Sequence, residues 1–206
     1  MYSKTVIFGC GGHARSVLGT IQEKQIEKQV YLVDENAEEN EIIMGCQVLR
    51  TVELSESDLY IVAIGDNQKR KKQFNRLAEI GKGNLYNVIS SFSTIKNHVV
   101  LGKGVFISGN SYIGPEAQIG DNVIINTGSI IEHEVTIGQH THIAPHATVC
   151  GRTLIGEECF IGAGTTIIDH IQITDRVIVG AGSVVIKDII FPGVYAGNPV
   201  RKIRDI

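Results

Sequence analysis

His133 is the residue whose type and surroundings best suit proton-transfer chemistry, because it stands between two carboxylates in the run Glu132-His133-Glu134. A histidine titrates near neutral pH and can take a proton from a substrate, and a neighbouring carboxylate can orient the ring and support its basicity. Adjacent side chains on a regular strand point in opposite directions, so Glu134 can serve only if the chain turns at 133–134. Glu132 is the alternative, and the sequence does not choose between them.

A second candidate site is the glycine cluster Gly9-Cys10-Gly11-Gly12-His13-Ala14, which follows a β-rich run at 4–8. It fits the permissive GxGxxG/A fingerprint of dinucleotide-binding turns, and Asp34 stands where a ribose-binding acid is expected. Only about ninety residues precede the repeats described below, enough for one mononucleotide-binding half. Glycines at a helix N-terminus favour a phosphate group, so we predict a nucleotide-linked ligand. The alternative is that the glycines only make a tight turn.

The other histidines are weighed first as metal ligands. The chain has seven histidines, and zinc needs three or four converging ligands. His142 and His146 are four residues apart, which suits a helix better than the repeat below, and Phe106 and Asn110 stand where partners would be needed. We therefore predict no metal. Histidines outside a motif are expected to be solvated surface residues, and these are His98, His140, His146 and His170.

These side chains must be positioned by a six-residue repeat over 101–185. Every sixth residue is aliphatic without exception, and a second ladder of mostly small or β-branched residues follows four positions after each. A period of six fits neither a helix nor a simple strand, so each hexad is predicted to be one short strand plus a corner. Only a solenoid stacks identical side chains over such a run. Fifteen hexads make five coils, each rising by about 4.8 Å.

The residues before the repeat alternate between strand and helix patterns, which is typical of a small parallel α/β sheet. We predict strands over 4–8, 30–33 and 59–64 and helices over 14–27 and 68–80. The predicted domains are a small Rossmann-like ligand-binding domain over 1–92 and the repeat domain, with a basic C-terminal tail, over 93–206.

The composition excludes several classes of function. The 206 residues are 43% hydrophobic and 20% charged, with a formal net charge of −3, as in a soluble globular protein. No basic cluster points to nucleic acid or a membrane surface, and no apolar run could span a bilayer. The four cysteines form no CxxC pair, so we expect reduced thiols in a cytoplasmic protein.

Several motifs together resemble one branch of the hexapeptide-repeat acyltransferases. They are the hexads, the glycine cluster, Asp34 at the end of the second strand, and Ile64-Gly65-Asp66-Asn67 followed by Arg70. The branch comprises bacterial nucleotide-sugar N-acetyltransferases, which act on 4-amino-4,6-dideoxy sugars, and sialic acid O-acetyltransferases. The resemblance covers nearly the whole chain. It implies a small Rossmann-like domain followed by a left-handed parallel β-helix, a hand opposite to the general crossover rule.

The resemblance also implies roles for individual residues. His133 would be the base in acetyl transfer and Glu134 its support. The implied nucleotide-sugar contacts are Gly11, Gly12, His13, Asp34, Gly65 and Asn67. For acetyl-CoA the resemblance implies His142 near the thioester and the Gly151 amide as oxyanion donor. The remaining implied acetyl-CoA contacts are Gly162, Ala163, Gly180, Ala181, Lys187, Pro199 and Arg201. The family's usual Gly-Asn-Pro-Ala ending reads Gly197-Asn198-Pro199-Val200 here, which could change how adenine packs. Related enzymes hold the cofactor between subunits, so a homotrimer is expected.

The residues and the resemblance together predict an acetyl-CoA-dependent N-acetyltransferase. Its acceptor would be the amino group of a nucleotide-linked 4-amino-dideoxy sugar used for bacterial surface glycans. Two alternatives remain open, namely O-acetylation of a sialic-acid-type sugar and a non-catalytic β-helix scaffold. A scaffold needs neither the histidine–glutamate run nor the glycine cluster. The nucleotide, whether UDP, dTDP or GDP, is not readable from the sequence.

Overall fold

The computed structural model describes residues 4–23 and 29–206. Its N-terminal part is a six-stranded sheet of order β3-β4-β2-β1-β5-β6, parallel except for the β3–β4 hairpin. The elements are β1 (Lys4–Phe8), α1 (Gly12–Gln22), β2 (Gln29–Val33), β3 (Ile42–Ile43), β4 (Cys46–Leu49), β5 (Leu59–Val62), α2 (Asn67–Ile80) and β6 (Asn84–Leu85). The predicted parallel α/β sheet is therefore present, with the β3–β4 hairpin and one further short strand, β6, added.

Both helices form near their predicted positions. Helix α1 begins two residues earlier than predicted, and residues 24–27 of the prediction lie outside the described residues. Asp66 caps α2 by accepting a hydrogen bond from the Lys69 amide at 2.8 Å. Gly81 ends that helix in the left-handed conformation (φ +64°), a geometry that glycine adopts without steric cost.

The rest of the chain is a left-handed parallel β-helix built from the hexads. Face 1 contains β7 (Val88–Ile89), β10 (Phe106–Ile107), β13 (Ile124–Ile125), β16 (His142–Ile143), β19 (Phe160–Ile161) and β22 (Val177–Val179). Face 2 contains β8 (Thr94–Ile95), β11 (Tyr112–Ile113), β14 (Ile130–Ile131), β17 (Thr148–Val149), β20 (Thr166–Ile167) and β23 (Val184–Val185). Face 3 contains β9 (Val100–Leu101), β12 (Gln118–Ile119), β15 (Thr136–Ile137), β18 (Leu154–Ile155) and β21 (Gln172–Ile173).

Each strand pairs in parallel with the strand one coil later, so residues 18 apart are neighbours, as with Phe106 and Ile124. The fifteen hexads counted over 101–185 correspond to β9–β23, and β7 and β8 precede them. Because β7 already pairs with β10, the domain boundary predicted at residue 92 falls inside the first coil.

The corners share one backbone conformation. Every sixth residue from His98 to Gly182 has a positive φ, between 54° and 67°, in the left-handed region that non-glycine residues seldom enter. Eleven of these fifteen positions carry a side chain. Glu134 is one of them, with φ +60°, so the turn that its pairing with His133 requires is part of the repeat.

Two hydrophobic cores hold the functional surfaces in place. The interior of the β-helix is filled by the two predicted ladders, whose members from residue 105 onward are nearly all fully buried. A second core joins helix α1 to face 1, where Leu18 of the helix belongs to the same buried cluster as Val88, Phe106 and Ile124. The α/β domain therefore covers part of face 1, while faces 2 and 3 carry no such cover among the described residues.

The chain ends in a hairpin of β24 (Gly193–Gly197) and β25 (Val200–Arg204), which extends face 1 beyond β22. Its turn contains a cis peptide bond between Asn198 and Pro199. Within the described ranges neither helix is long and apolar enough to cross a bilayer.

Candidate active site

His133 lies at the corner between faces 2 and 3 and is bonded to Glu134. Its Nδ1 is 2.9 Å from Oε2 of that carboxylate, and both side chains are about two-fifths exposed. This bond, followed by the one from Arg152, lowers the pKa of Glu134, so the carboxylate stays charged. No described residue is hydrogen-bonded to Nε2 of His133. The corner therefore leaves Nε2 without a hydrogen bond to a described residue and holds Nδ1, and of the two carboxylates it is Glu134 that makes the contact.

Two glycines make room for His133. A Cβ on Gly151 would lie 2.5 Å from Cε1 and 2.6 Å from Nε2 of the ring, and a Cβ on Gly114 would lie 2.6 Å from the His133 amide nitrogen. Gly151 stands 18 residues after His133, so the imidazole rests on the backbone of the next coil. The Gly151 amide donates to no backbone acceptor among the residues described. An unused N–H on the residue that packs against the imidazole has the character of an oxyanion donor.

Arg152 belongs to this corner, and the sequence reading missed it. Its Nη2 lies 2.9 Å from the same Oε2 of Glu134 that meets His133. The signal was available, because Arg152 stands 18 residues after Glu134 and residues at that spacing are neighbours on successive coils.

The glycine cluster forms the second candidate site, at the carboxyl ends of β1 and β2. Gly11 and Gly12 have open space around them, and no side chain caps the N-terminus of α1. Asp34 accepts a hydrogen bond from the Asn36 amide at 3.0 Å and another from the Cys10 thiol at 3.1 Å. Those bonds lower the pKa of Asp34, while burial and then Asp34 raise the pKa of Cys10 to about 11. A carboxylate and free helix amides thus share one edge of the sheet.

Two histidines, His142 buried and His13 half-buried, join this edge to the β-helix. The rings of His13 and His142 have centroids 6.3 Å apart, and His13 also lies next to Gly65. Nε2 of His13 and Nδ1 of His142 are buried without a hydrogen-bond partner among the described residues. Burial lowers the pKa of His13 to about 3 and that of His142 to about 4. Both rings are therefore neutral near pH 7, each with one uncommitted polar atom.

Arg70 holds this junction together. The sequence motif included Arg70 but did not reveal this structural role. It is fully buried and donates five hydrogen bonds, to the carbonyls of Ile64, Gly65, Asn122 and His140 and to Oδ1 of Asn67. Its guanidinium therefore ties the loop after β5 to two successive coils at the corner between faces 3 and 1.

The side chain of Asn67, predicted to contact the nucleotide-sugar, is hydrogen-bonded to other residues of the protein. Its oxygen accepts from Arg70 at 2.7 Å, and its Nδ2 donates to the carbonyls of Glu158 and Cys159 at 3.2 and 2.9 Å. The structure thus places Asn67 in the contact between the domains, and Gly11, Gly12, His13, Asp34 and Gly65 around the open edge.

The residues predicted to hold acetyl-CoA fall into three places. Gly162, Ala163, Gly180 and Ala181 form adjacent corners between faces 1 and 2, where a Cβ on Gly162 would lie 2.5 Å from the Ala181 nitrogen. A Cβ on Gly180 would meet that of Ala196, whose β-hairpin partner is Arg201, and Pro199 lies in the turn of that hairpin. Lys187 stands two coils after Gly151 at the corner between faces 2 and 3, and His142 lies on face 1.

The candidate residues therefore do not converge within one subunit. His133, Glu134 and Gly151 lie at the corner between faces 2 and 3, whereas His13 and His142 lie against face 1. In a three-sided prism that corner is opposite face 1. Within one chain the two sets therefore lie on opposite sides of the β-helix.

The prediction for the remaining histidines is wrong at one position. His98, His146 and His170 are exposed, but His140 is only 4% exposed. It packs edge-on against Phe74, with centroids 5.4 Å apart, because the α/β domain covers its corner. Over 4–23 and 29–206 no group of three or more His, Cys, Asp or Glu side chains could hold a metal ion.

The fold and these two sites define a hexapeptide-repeat protein with a Rossmann-like domain and a candidate acyl-transfer corner. The family model "PglD N-terminal domain" matches residues 4–77, and "Bacterial transferase hexapeptide (six repeats)" matches 116–151 and 152–187. No curated protein sequence matches the chain significantly.

Solved structures resemble the chain over nearly its full length. The acetyltransferase domain of PglB from Neisseria gonorrhoeae, also solved with acetyl coenzyme A, has a TM-score of 0.91 and 25% identity, covering 98% of this chain and 100% of that one. A mutant GDP-perosamine N-acetyltransferase from Caulobacter crescentus, in complex with CoA and GDP-perosamine, has a TM-score of 0.87 and 31% identity, covering 98% and 97%. WeeI from Acinetobacter baumannii, at 20% identity and a TM-score of 0.76, shares the fold. The chain belongs to the family of hexapeptide-repeat sugar acetyltransferases that contains the nucleotide-sugar N-acetyltransferases and the sialic acid O-acetyltransferases.

Proposed function

We propose that this protein transfers the acetyl group of acetyl-CoA to the amino group of a nucleotide-linked amino-dideoxy sugar. The observation that carries the proposal is the His133–Glu134 pair, bonded at 2.9 Å with an unengaged Nε2 above Gly151. The relative from Caulobacter crescentus, an N-acetyltransferase solved with CoA and GDP-perosamine, supports the choice of an amine acceptor.

The chemistry assigned to this corner is general-base acyl transfer. As the acceptor nitrogen bonds to the thioester carbon, Nε2 of His133 takes the proton that the nitrogen loses. The carbonyl oxygen gains negative charge, and the Gly151 amide is the donor that we assign to it. When the carbon–sulfur bond breaks, the proton on His133 passes to the departing thiolate. Glu134 keeps Nδ1 engaged throughout, so the ring acts through one nitrogen.

The α/β domain supplies the acceptor's nucleotide site in this proposal. The free amides at the start of α1 suit a phosphate, and the charged Asp34 suits a ribose hydroxyl. His13 and His142, each with an unpartnered buried nitrogen, lie between that site and face 1. A buried polar atom without a partner costs stability. In this proposal the bound substrates supply the missing hydrogen bonds.

The proposed site is completed by a neighbouring subunit in a trimer. The base corner of one subunit would meet face 1 and the α/β domain of the next, bringing His133 to His142. The small residues at the corners between faces 1 and 2 and the cations Lys187 and Arg201 are then the proposed acetyl-CoA contacts.

The test is a panel of UDP-, dTDP- and GDP-linked amino sugars and their hydroxyl analogues with acetyl-CoA, following thiol release and product mass. We expect one amino sugar to be acetylated on nitrogen. Turnover of a free sialic-acid-type sugar with an ester product would establish the O-acetyl alternative instead. If acceptors bind but none of them causes thiol release from acetyl-CoA, the result would contradict catalysis and favour the scaffold.

A further inference from the structure

The carboxylate beside the proposed base has a second partner. Oε2 of Glu134 lies 2.9 Å from Nδ1 of His133 and 2.9 Å from Nη2 of Arg152. The two donor atoms are therefore no farther apart than twice that distance. Arg152 is half-exposed, and its left-handed corner position (φ +57°) directly follows Gly151.

The 18-residue register makes this contact a built-in feature of the repeat. Glu134 and Arg152 occupy the same corner position on successive coils, and the Arg152 amide donates to the His133 carbonyl at 3.0 Å. Opposite charges directly across neighbouring strands attract each other. A guanidinium, with its fixed fork of donors, holds a carboxylate in a defined orientation.

The other charged groups around His133 are negative or lie farther along the register. Glu132 lies on the same corner as His133, and Glu116 is one coil before Glu134. Asp169 and His170 follow one coil after Gly151 and Arg152 and lie near each other, at 3.8 Å. Arg152 is therefore the cation in contact with the pair that His133 forms.

We propose that Arg152 is a positioning residue for the base, holding the Glu134 carboxylate against His133 and offsetting part of its negative charge. This inference rests on the proposed role of His133. Without Arg152, Glu134 would have the imidazole as its remaining partner and would favour the protonated ring. A protonated ring cannot accept a proton, so the enzyme would need a higher pH to reach full activity.

The test compares the pH dependence of kcat in the wild type, Arg152→Gln and Arg152→Lys. We expect the acidic limb of the Arg152→Gln profile to move up by about half a unit to one unit, the size expected for one cation near the surface. Arg152→Lys keeps the charge and should restore most of the shift. Arg176→Gln is the matched control, because Arg176 has the same corner conformation (φ +54°) and is exposed but lies on the corner between faces 3 and 1.

A purely structural role for Arg152 would lower kcat equally at every pH and leave both the limb and the titration of the His133 ring in place, which would overturn the proposal. A raised acceptor KM with an unmoved limb would also overturn it, since Arg152 would then be a substrate contact. NMR titration of the His133 ring separates this proposal from the proposed function. If the ring titration moves in Arg152→Gln but the kcat profile does not, Arg152 acts on the His133–Glu134 pair, and it is the proposed role of His133 as the base that fails. If neither moves, the inference about Arg152 fails, whatever His133 does.

Discussion

The imidazole of His133 rests on Gly151, and a Cβ at residue 151 would lie 2.5 Å from its Cε1. Glycine is required here by the closeness of the ring, since Gly151 does not have a positive φ. The contact between adjacent coils therefore fixes the proposed base next to the residue that carries the proposed oxyanion donor.

Replacing Gly151 by alanine should displace the ring and lower kcat by about 10²-fold, the lower end of what a general base contributes. Gly109→Ala is the control, because a Cβ there meets only ordinary contacts, at 3.4 and 3.8 Å. Steady-state kinetics on both variants checks this. A Gly151→Ala enzyme with wild-type kcat would mean that the ring position is unimportant.

Removing the base itself should have a larger effect. His133→Ala and His133→Asn should each lose about 10²–10⁴-fold in kcat while both substrates still bind, and the loss should shrink as the pH rises. The exposed His146 and His170 are the controls, and their alanine variants should be close to wild type. If His133→Ala keeps more than about a tenth of the wild-type kcat, the loss is smaller than the smallest effect expected of a general base. That result would refute the mechanism.

A site shared between subunits predicts complementation. His133→Ala and His142→Ala should each be impaired as pure proteins, because each lacks one half of every site. Unfolding and refolding an equal mixture should restore about a quarter of the wild-type rate. Each site of a cyclic trimer needs an intact His133 from one subunit and an intact His142 from the next, and half of the subunits carry each. Activity in the mixture no higher than in the separate variants would place both histidines in one subunit.

Arg70 should matter for stability and for acceptor binding. Arg70→Met leaves five acceptors, in two buried and three partly buried hydrogen bonds, without their donor. It should cost at least about 3 kcal/mol, seen as a melting temperature about 10 °C lower. The KM for the nucleotide-sugar should also rise, because Arg70 holds Gly65. Lys71→Met is the control, since the partly exposed ion pair of Lys71 with Glu158 at 2.6 Å should be worth about 1 kcal/mol or less. Equal melting temperatures for the two variants would contradict this account.

The buried histidines predict that stability falls on acidification. Burial lowers the pKa of His140 and of His142 to about 4, whereas an unfolded histidine has a pKa near 6.5. Between those values the unfolded chain binds protons that the folded chain cannot, so unfolding becomes easier as the pH drops from about 6.5 toward 4. His140→Gln should make the melting temperature less dependent on pH over that range. His98→Gln, at an exposed position, should leave the dependence unchanged, and equal slopes in the two variants would show that His140 does not contribute.

The hexad period by itself predicted a solenoid, and the family resemblance added the left-handed β-helix and the residues expected around His133. Each coil contacts mainly its neighbours, so the repeat behaves as a one-dimensional array, and a spacing of 18 residues is enough to identify contacts. The same register brings together His133 with Gly151 and Glu134 with Arg152, although the Arg152 contact was overlooked. The choice between Glu132 and Glu134 needed the corner conformation, which the hexad period implies but does not state.

Only the tertiary structure decided what the α/β domain covers. Nothing in the hexad pattern distinguishes face 1 from the other two faces, and the pattern treats His140 and His142 as outward residues like any other. Helix α1 buries its apolar side on face 1, and Arg70 then reaches two coils through backbone carbonyls, which carry no sequence signal. Docking of one domain on another depends on the whole shape of both surfaces, so the burial of these histidines and the separation of the two halves of the candidate site follow from the folded structure alone.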